Sequence, residues 1–290
     1  MSKITIAQKA GFCFGVKRAI RLAEEAVLHN KTVSVIGPII HNPQEVARLE
    51  KLGIKTINKP YRENGVLILR THGIPLSLYN ELKNKKSVEI IDAVCPFVKR
   101  AQKIVADLAA KKEPIVIVGE KEHPEIIALR SYCNNKCIVI NSAQEAKRAA
   151  NSKKIKAGSK LNIVSQTTQS LENFDKIVKT LKKNYEVKVF NTICKATFDR
   201  QNAASKLAKT ADLMIVIGGK NSANTTRLAQ ICKKNAKTKH IEAAGDLKKE
   251  WFKNKNNICL TAGASTPDWI IKEIRSDIEK FVNKLNSKEK

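Results

Sequence analysis

Short β-branched runs recur along the chain, each giving way to a loop and then to a helical pattern of apolar positions. Strand, loop and amphipathic helix repeated in that order are the signature of parallel βα units, so the pattern predicts an α/β fold. Strands are expected at 4–6, 32–36, 66–69, 88–91, 115–118, 161–164, 187–190, 213–217 and 258–260. The last helix is announced by Ser265 and Pro267, after which Ile270, Ile271, Ile274, Ile278, Phe281 and Val282 share one face. Beyond it, residues 286–290 are expected to fray into solvent.

The residues just past the strands carry the chemistry. In order they are Cys13, His41, His72, Cys95, His123, Thr167, Cys194, Ser222 with Asn224, and Ser265. In a parallel α/β sheet the ligand site lies outside the carboxyl ends of the strands, so this set points at one place. Cys13, Cys95 and Cys194 lie 82 and 99 residues apart, and each follows a strand and opens a helix. That spacing predicts three similar α/β modules in a pseudo-threefold assembly around a central site, over 14–95, 96–193 and 194–290.

A length of 290 residues exceeds the usual size of one hydrophobic core, and a 42% hydrophobic content supports burying several. Ile4, Ile6, Ala7 and Ala10 are interleaved with Lys3, Gln8 and Lys9, so no apolar signal region forms, and no apolar run reaches membrane-spanning length. A cytoplasmic location without a membrane partner is therefore expected. The seven cysteines then occupy a reducing compartment, where metal ligation, catalysis or packing is commoner than a disulfide. A net charge of +27 admits nucleic acid, a membrane surface or an anionic substrate as partner. The lysines are dispersed, however, in runs such as Lys83-Asn84-Lys85-Lys86, Lys153-Lys154 and Lys233-Lys234. Aromatic residues make up only 5% of the chain, leaving few rings to stack bases, so solvated basic faces are expected rather than a specific nucleic-acid site.

Three separate cysteines are by default small buried hydrophobes. Loops at helix starts are poor places for core thiols and suit thiolates, whose pKa a helix N-terminus lowers. Three thiolates suit a metal centre, either zinc with a fourth ligand or water, or an iron-sulfur cubane with one iron left open. Cys133 and Cys137 flank Asn134-Asn135 without the third cysteine of a CxxxCxxC signature, and Cys232 and Cys259 fall in a helical pattern and a strand, so all four are read as structural. His41-Asn42-Pro43, His72-Gly73-Ile74-Pro75 and His123-Pro124-Glu125 hold imidazoles in stiff loops, where together they offer donors to a phosphate. His29 and His240 lack that setting. Gln166-Thr167-Thr168, Asn221-Ser222-Ala223-Asn224 and Gly263-Ala264-Ser265 precede helices, where N-capping and anion binding are compatible roles. On residue types alone, a Cys/His metal-dependent hydrolase and an iron-sulfur nucleic-acid-binding protein remain open.

Eight words in one order narrow this: Gly-Phe-Cys-Phe-Gly-Val at 11–16, Arg-Thr-His-Gly-Ile-Pro at 70–75, Asp-Ala-Val-Cys-Pro at 92–96, Gly-Glu-Lys-Glu-His-Pro-Glu at 119–125, Ser-Gln-Thr-Thr at 165–168, Asn-Thr-Ile-Cys at 191–194, Gly-Lys-Asn-Ser-Ala-Asn-Thr at 219–225 and Ala-Gly-Ala-Ser-Thr-Pro at 262–267. Together they resemble the 4-hydroxy-3-methylbut-2-enyl diphosphate reductases, the IspH/LytB family. The resemblance implies a 4Fe-4S cluster on Cys13, Cys95 and Cys194, whose fourth iron takes the terminal hydroxyl of an allylic diphosphate. It places His41, His72, His123, Ser222, Asn224 and Ser265 around the diphosphate, Thr167 near the hydroxyl, and Glu125 as proton source. The implied fold is a cloverleaf in which the strand of residues 1–13 joins the third module. The implied reaction is reductive dehydroxylation to isopentenyl and dimethylallyl diphosphates, the last step of the non-mevalonate pathway, with electrons from a carrier such as ferredoxin or flavodoxin. Where many members of the family have a second serine, this chain has Ala223, so a backbone N–H contact is expected there.

Overall fold

A computed structural model describes residues 2–29, 32–58, 65–152 and 160–287. The expected Lys153-Lys154 charge run and the last three residues of the expected frayed end lie outside them. The chain opens with β1 (Lys3–Ile6) and α1 (Phe14–His29), and three similar runs follow. The first contains β2 (Val33–Ile36), α2 (Pro43–Lys51), β3 (Ile54–Ile57), β4 (Gly65–Leu69), α3 (Leu76–Lys83) and β5 (Val88–Asp92). The second contains α4 (Pro96–Ala110), β6 (Ile115–Val118), α5 (Pro124–Ser131), β7 (Ile138–Ile140), α6 (Ala143–Asn151), β8 (Lys160–Ser165), α7 (Leu171–Leu181) and β9 (Glu186–Phe190). The third contains α8 (Lys195–Ala208), β10 (Leu213–Ile217), α9 (Ala223–Lys233), β11 (Thr238–Ile241), β12 (Asn257–Ala262) and α10 (Asp268–Asn286).

Each run builds a four-stranded parallel sheet of the same order: β3-β2-β4-β5, β7-β6-β8-β9 and β11-β10-β12-β1. The third run has only three strands of its own, and β1 supplies the fourth by pairing Lys3 with Asn257 through Ile6 with Leu260. The central strands Gly65–Leu69, Ile115–Val118 and Leu213–Ile217 are near-continuous apolar runs because helices cover both faces of the sheet. All nine expected strands form. β3, β7 and β11 were not foreseen, and each is the outer neighbour of the first strand in its sheet.

By packing, the chain divides into two units: Met1–Lys17, Ile40–Arg48 and Lys195–Lys290 in one, Arg18–Ile39 and Leu49–Cys194 in the other. In the first unit, alternation along the strands feeds two cores. Leu213, Ile215, Ile258 and Leu260 meet Ile270, Ile274 and Ile278 of α10, while Met214, Val216 and Cys259 meet Ala204, Leu228 and Cys232 of α8 and α9. The second unit holds the other two sheets. Leu67 and Leu69 pack with Leu82, Val94 and Val98. Val116 and Leu161 pack with Phe174 and Ile177 on one face of their sheet, and Ile115 and Ile117 with Ala101, Val105 and Leu129 on the other. Fully burying each such aliphatic side chain contributes about 1.5–3 kcal/mol, which holds the strand ends that carry the polar loops.

Candidate active site

In every sheet the first and third strands are neighbours and their connections diverge to opposite sides, which leaves a crevice above their carboxyl ends. The same hydrogen bond to the edge strand begins each first-strand loop: Gly37 N, Gly119 N and Gly218 N donate to Ile57 O, Ile140 O and Ile241 O at 2.8, 3.0 and 2.9 Å. At Gly218 the turn demands glycine, because φ is +137° and a Cβ would stand 2.5 Å from Thr266 Oγ1. First-strand loops then present His41, His123 and Ser222, and third-strand loops present His72, Thr167 and Ser265. Fourth-strand loops present Cys95, Cys194 and Cys13. The backbone N–H of each cysteine is tied to the third-strand loop of its own sheet: Cys95 to Thr71 O at 3.0 Å, Cys194 to Thr167 O at 3.0 Å and Cys13 to Ala264 O at 3.2 Å. All seven cysteines are thiols, and these three are partly exposed just before the first turns of α4, α8 and α1.

In the first unit, Arg200 is buried on α8 and donates to Gly11 O at 2.7 Å, fixing the approach to Cys13. Ser265 does not cap α10, whose N-cap is Pro267; its hydroxyl donates to His41 O at 3.0 Å. Ser222 does cap its helix, accepting from Thr225 N at 3.3 Å. Ala223 and Asn224 form the first turn of α9 and are buried. Neither amide atom of Asn224 meets a partner among the described residues. A buried, unsatisfied amide costs about 1–3 kcal/mol, which an arriving anion would offset. His240, read as structural, donates from Nε2 to Gly218 O at 2.8 Å and so braces the Ser222 loop.

In the second unit, the rings of His72 and His123 meet edge to face with centroids 5.3 Å apart. His123 Nδ1 accepts from Glu125 N at 3.1 Å, so in the neutral ring the proton resides on Nε2, the ring's donor. Glu125 is only 1% exposed. Its two oxygens accept from Thr167, Oε1 from the backbone N–H at 2.6 Å and Oε2 from the hydroxyl at 2.8 Å. Thr167 is therefore a partner of the carboxylate and not a cap, since α7 begins later with Ser170 at its N-cap. Two arginines hold the backbone here. Arg70 Nε donates to Gly73 O at 3.3 Å, and burial lowers its guanidinium pKa from the usual value. Arg18 donates to Asp92 O at 3.0 Å and Val94 O at 3.4 Å, immediately before Cys95. No spacing signal in the sequence marks out Arg18 or Arg200. Cys232 is buried in the core as expected, and burial pushes its thiol up to about 12.

Parallel sheets whose carboxyl ends carry partly exposed thiols, imidazoles and a buried, oriented carboxylate define an α/β enzyme with metal-ligating residue types in its strand-end loops. The particular family is shown by comparison: the chain belongs to the LytB family, whose description, LytB protein, matches residues 4–279. Relatives named 4-hydroxy-3-methylbut-2-enyl diphosphate reductase include those of Campylobacter hominis, 47% identical over 94% of this chain and 97% of the relative, and Aquifex aeolicus, 45% identical over 97% of each. A solved structure described as (E)-4-hydroxy-3-methyl-but-2-enyl diphosphate reductase, the terminal enzyme of the non-mevalonate pathway, is 44% identical with a TM-score of 0.68, over 97% of this chain and all of the other. The Plasmodium falciparum E-1-hydroxy-2-methyl-but-2-enyl-4-diphosphate reductase is 30% identical with a TM-score of 0.85, over 98% of this chain and 88% of the other. No described helix is long and apolar enough to cross a membrane.

Proposed function

We propose that the chain reduces 4-hydroxy-3-methylbut-2-enyl diphosphate, removing its hydroxyl as water and leaving isopentenyl and dimethylallyl diphosphates. The observation that carries this reading is the Glu125 carboxyl group, buried yet held on both oxygens by Thr167, which suits it as a proton source at the strand ends. Cys13, Cys95 and Cys194 fit a 4Fe-4S cluster: they are thiols, partly exposed, in one repeated backbone setting at helix starts. When bound, the cluster would relay the two electrons of the reduction one at a time. The residues of the chain do the rest. Asn224, Ser222 and Ser265, with the backbone N–H of Ala223 and the imidazoles of His41, His72 and His123, hold the diphosphate. Thr167 Oγ1 lies beside the substrate hydroxyl; once Glu125 has taken up a proton it donates that proton to Thr167 Oγ1, whose own proton turns from the carboxyl group to the substrate hydroxyl, while a second proton goes to the allylic carbon. The electrons come from a small cytoplasmic carrier such as a ferredoxin or flavodoxin, and no specific nucleic acid is bound.

Anaerobically purified protein, analysed for iron, sulfide and turnover with an artificial reductant, tests the reading. Cys13→Ser, Cys95→Ser and Cys194→Ser should each lose the cluster or most activity, and Cys232→Ser should not. Full iron content and turnover in Cys95→Ser would sink the ligand assignment.

A further inference from the structure

Cys133 and Cys137 lie apart from the candidate site and form a pair that apolar packing alone does not require. α5 ends at Ser131, and the chain then doubles back through Asn134 and Asn135, both left-handed with φ of 50° and 59°. Asparagine tolerates that region better than most residues. The turn is held by Asn135 N to Arg130 O and Lys136 N to Cys133 O, each 2.8 Å. It folds Cys137, four residues on in sequence, back against the core cluster that contains Cys133, within hydrogen-bonding reach of its thiol. Cys133 is buried against the core and donates from Sγ to Arg130 O at 3.2 Å, whereas Cys137 is at the rim and partly exposed. Arg130 adds a positive charge beside both sulfurs and a hydrogen bond to Cys137. The hydrogen bond with Cys137 and the Arg130 charge hold Cys133 below the ordinary thiol range against its own burial, and the same sharing together with burial drives Cys137 up.

We propose that Cys133 and Cys137 are a dithiol site that oxidises reversibly to a disulfide by exchange with low-molecular-weight disulfides of the glutathione type. Once the pair has lost one proton the other can pass between the sulfurs, and in the form that carries it on Cys133 the rim sulfur of Cys137 meets the incoming RSSR as a thiolate. It bonds to one sulfur and expels RS⁻. Cys133 gives its proton to that RS⁻ and attacks the Cys137 sulfur, expelling the second RS⁻. The two protein sulfurs lose two electrons, RSSR becomes RSH and RS⁻, and an S–S bond within the protein replaces the one in the reagent. The new bond would tether the end of the helix whose first turn carries Glu125. It requires neither the cluster nor the substrate, so it stands or falls separately from the proposed reductase activity.

The test uses the full-length holoprotein, held anaerobically in mixtures of oxidised and reduced glutathione of graded ratio, then alkylated under denaturing conditions and cut with trypsin. Cleavage after Arg130, Lys136 and Lys147 leaves the two cysteines on separate peptides, 131–136 and 137–147. In the wild type these should be recovered as one disulfide-linked species, disappearing at high reduced glutathione, at ratios that leave Cys232 and Cys259 reduced. Cys133→Ser should instead retain a glutathione adduct on Cys137. Unlinked peptides throughout the series, or a lasting glutathione adduct on Cys137 of the wild type, would overturn the proposal.

Discussion

On the proposed roles Asn224 binds and Glu125 protonates, and the division is measurable. Asn224→Ala removes a hydrogen-bonding amide from a charged ligand, so KM should rise by the equivalent of about 1.5–3 kcal/mol with kcat little changed. Glu125→Gln keeps the size and the contact with Thr167 N but cannot deliver a proton. Its kcat should fall by roughly a hundredfold or more, with KM near normal, when excess artificial reductant removes electron supply as a limit. Unchanged KM in the first variant, or unchanged kcat in the second, would remove that residue from the proposed role. At this scale the sequence was informative about type and place, because a thiol, imidazole or hydroxyl after a strand is visible in the chain itself. It was uninformative about partners. Thr167 and Ser265 passed for N-caps because the true starts of α7 and α10 lie a few residues further on. The Glu125–Thr167 pair spans 42 residues, a pairing that only folding reveals.

The elements that escaped the hydrophobic pattern share one cause. β3 (IKTI) and β11 (TKHI) mix polar with apolar positions because an edge strand faces solvent on part of its surface, and β7 has only three residues. Each nevertheless receives the Gly37, Gly119 or Gly218 N–H that starts a candidate-site loop, so the least legible strands help aim the most legible residues. The arginine anchors act at the same scale. Removing Arg18 frees two carbonyls next to Cys95, so Arg18→Ala should speed alkylation of Cys95 in cluster-free protein, and Arg18→Lys should restore part of the wild-type rate. Equal Cys95 alkylation rates in wild type and Arg18→Ala would show that the loop holds itself.

For the whole chain, the charge of +27 is a long-range term acting on a dianionic or more highly charged substrate. Raising salt from low ionic strength to ~0.5 M should raise KM by roughly three- to tenfold, because screening shortens the reach of that field. Duplex DNA should compete only weakly and without sequence preference, and tight selective binding would contradict the dispersed-charge reading. The triple repetition of the fold was legible from the spacing of three cysteines, and each sheet draws its strands from one expected module, with β1 as the exception. That exception bears on how the protein is made. Ribosomes add ~5–20 residues per second, so β1 is synthesised roughly 10–50 s before its partner β12 exists. Cys95 and Cys194 acquire their backbone anchors at Thr71 and Thr167 while translation continues, but Cys13 has none until Ala264 has left the exit tunnel. All three backbone anchors of the proposed ligand set are thereby complete only in the finished polypeptide, and a chain stalled before residue 257 would leave β1 as an unpaired strand for quality control to find.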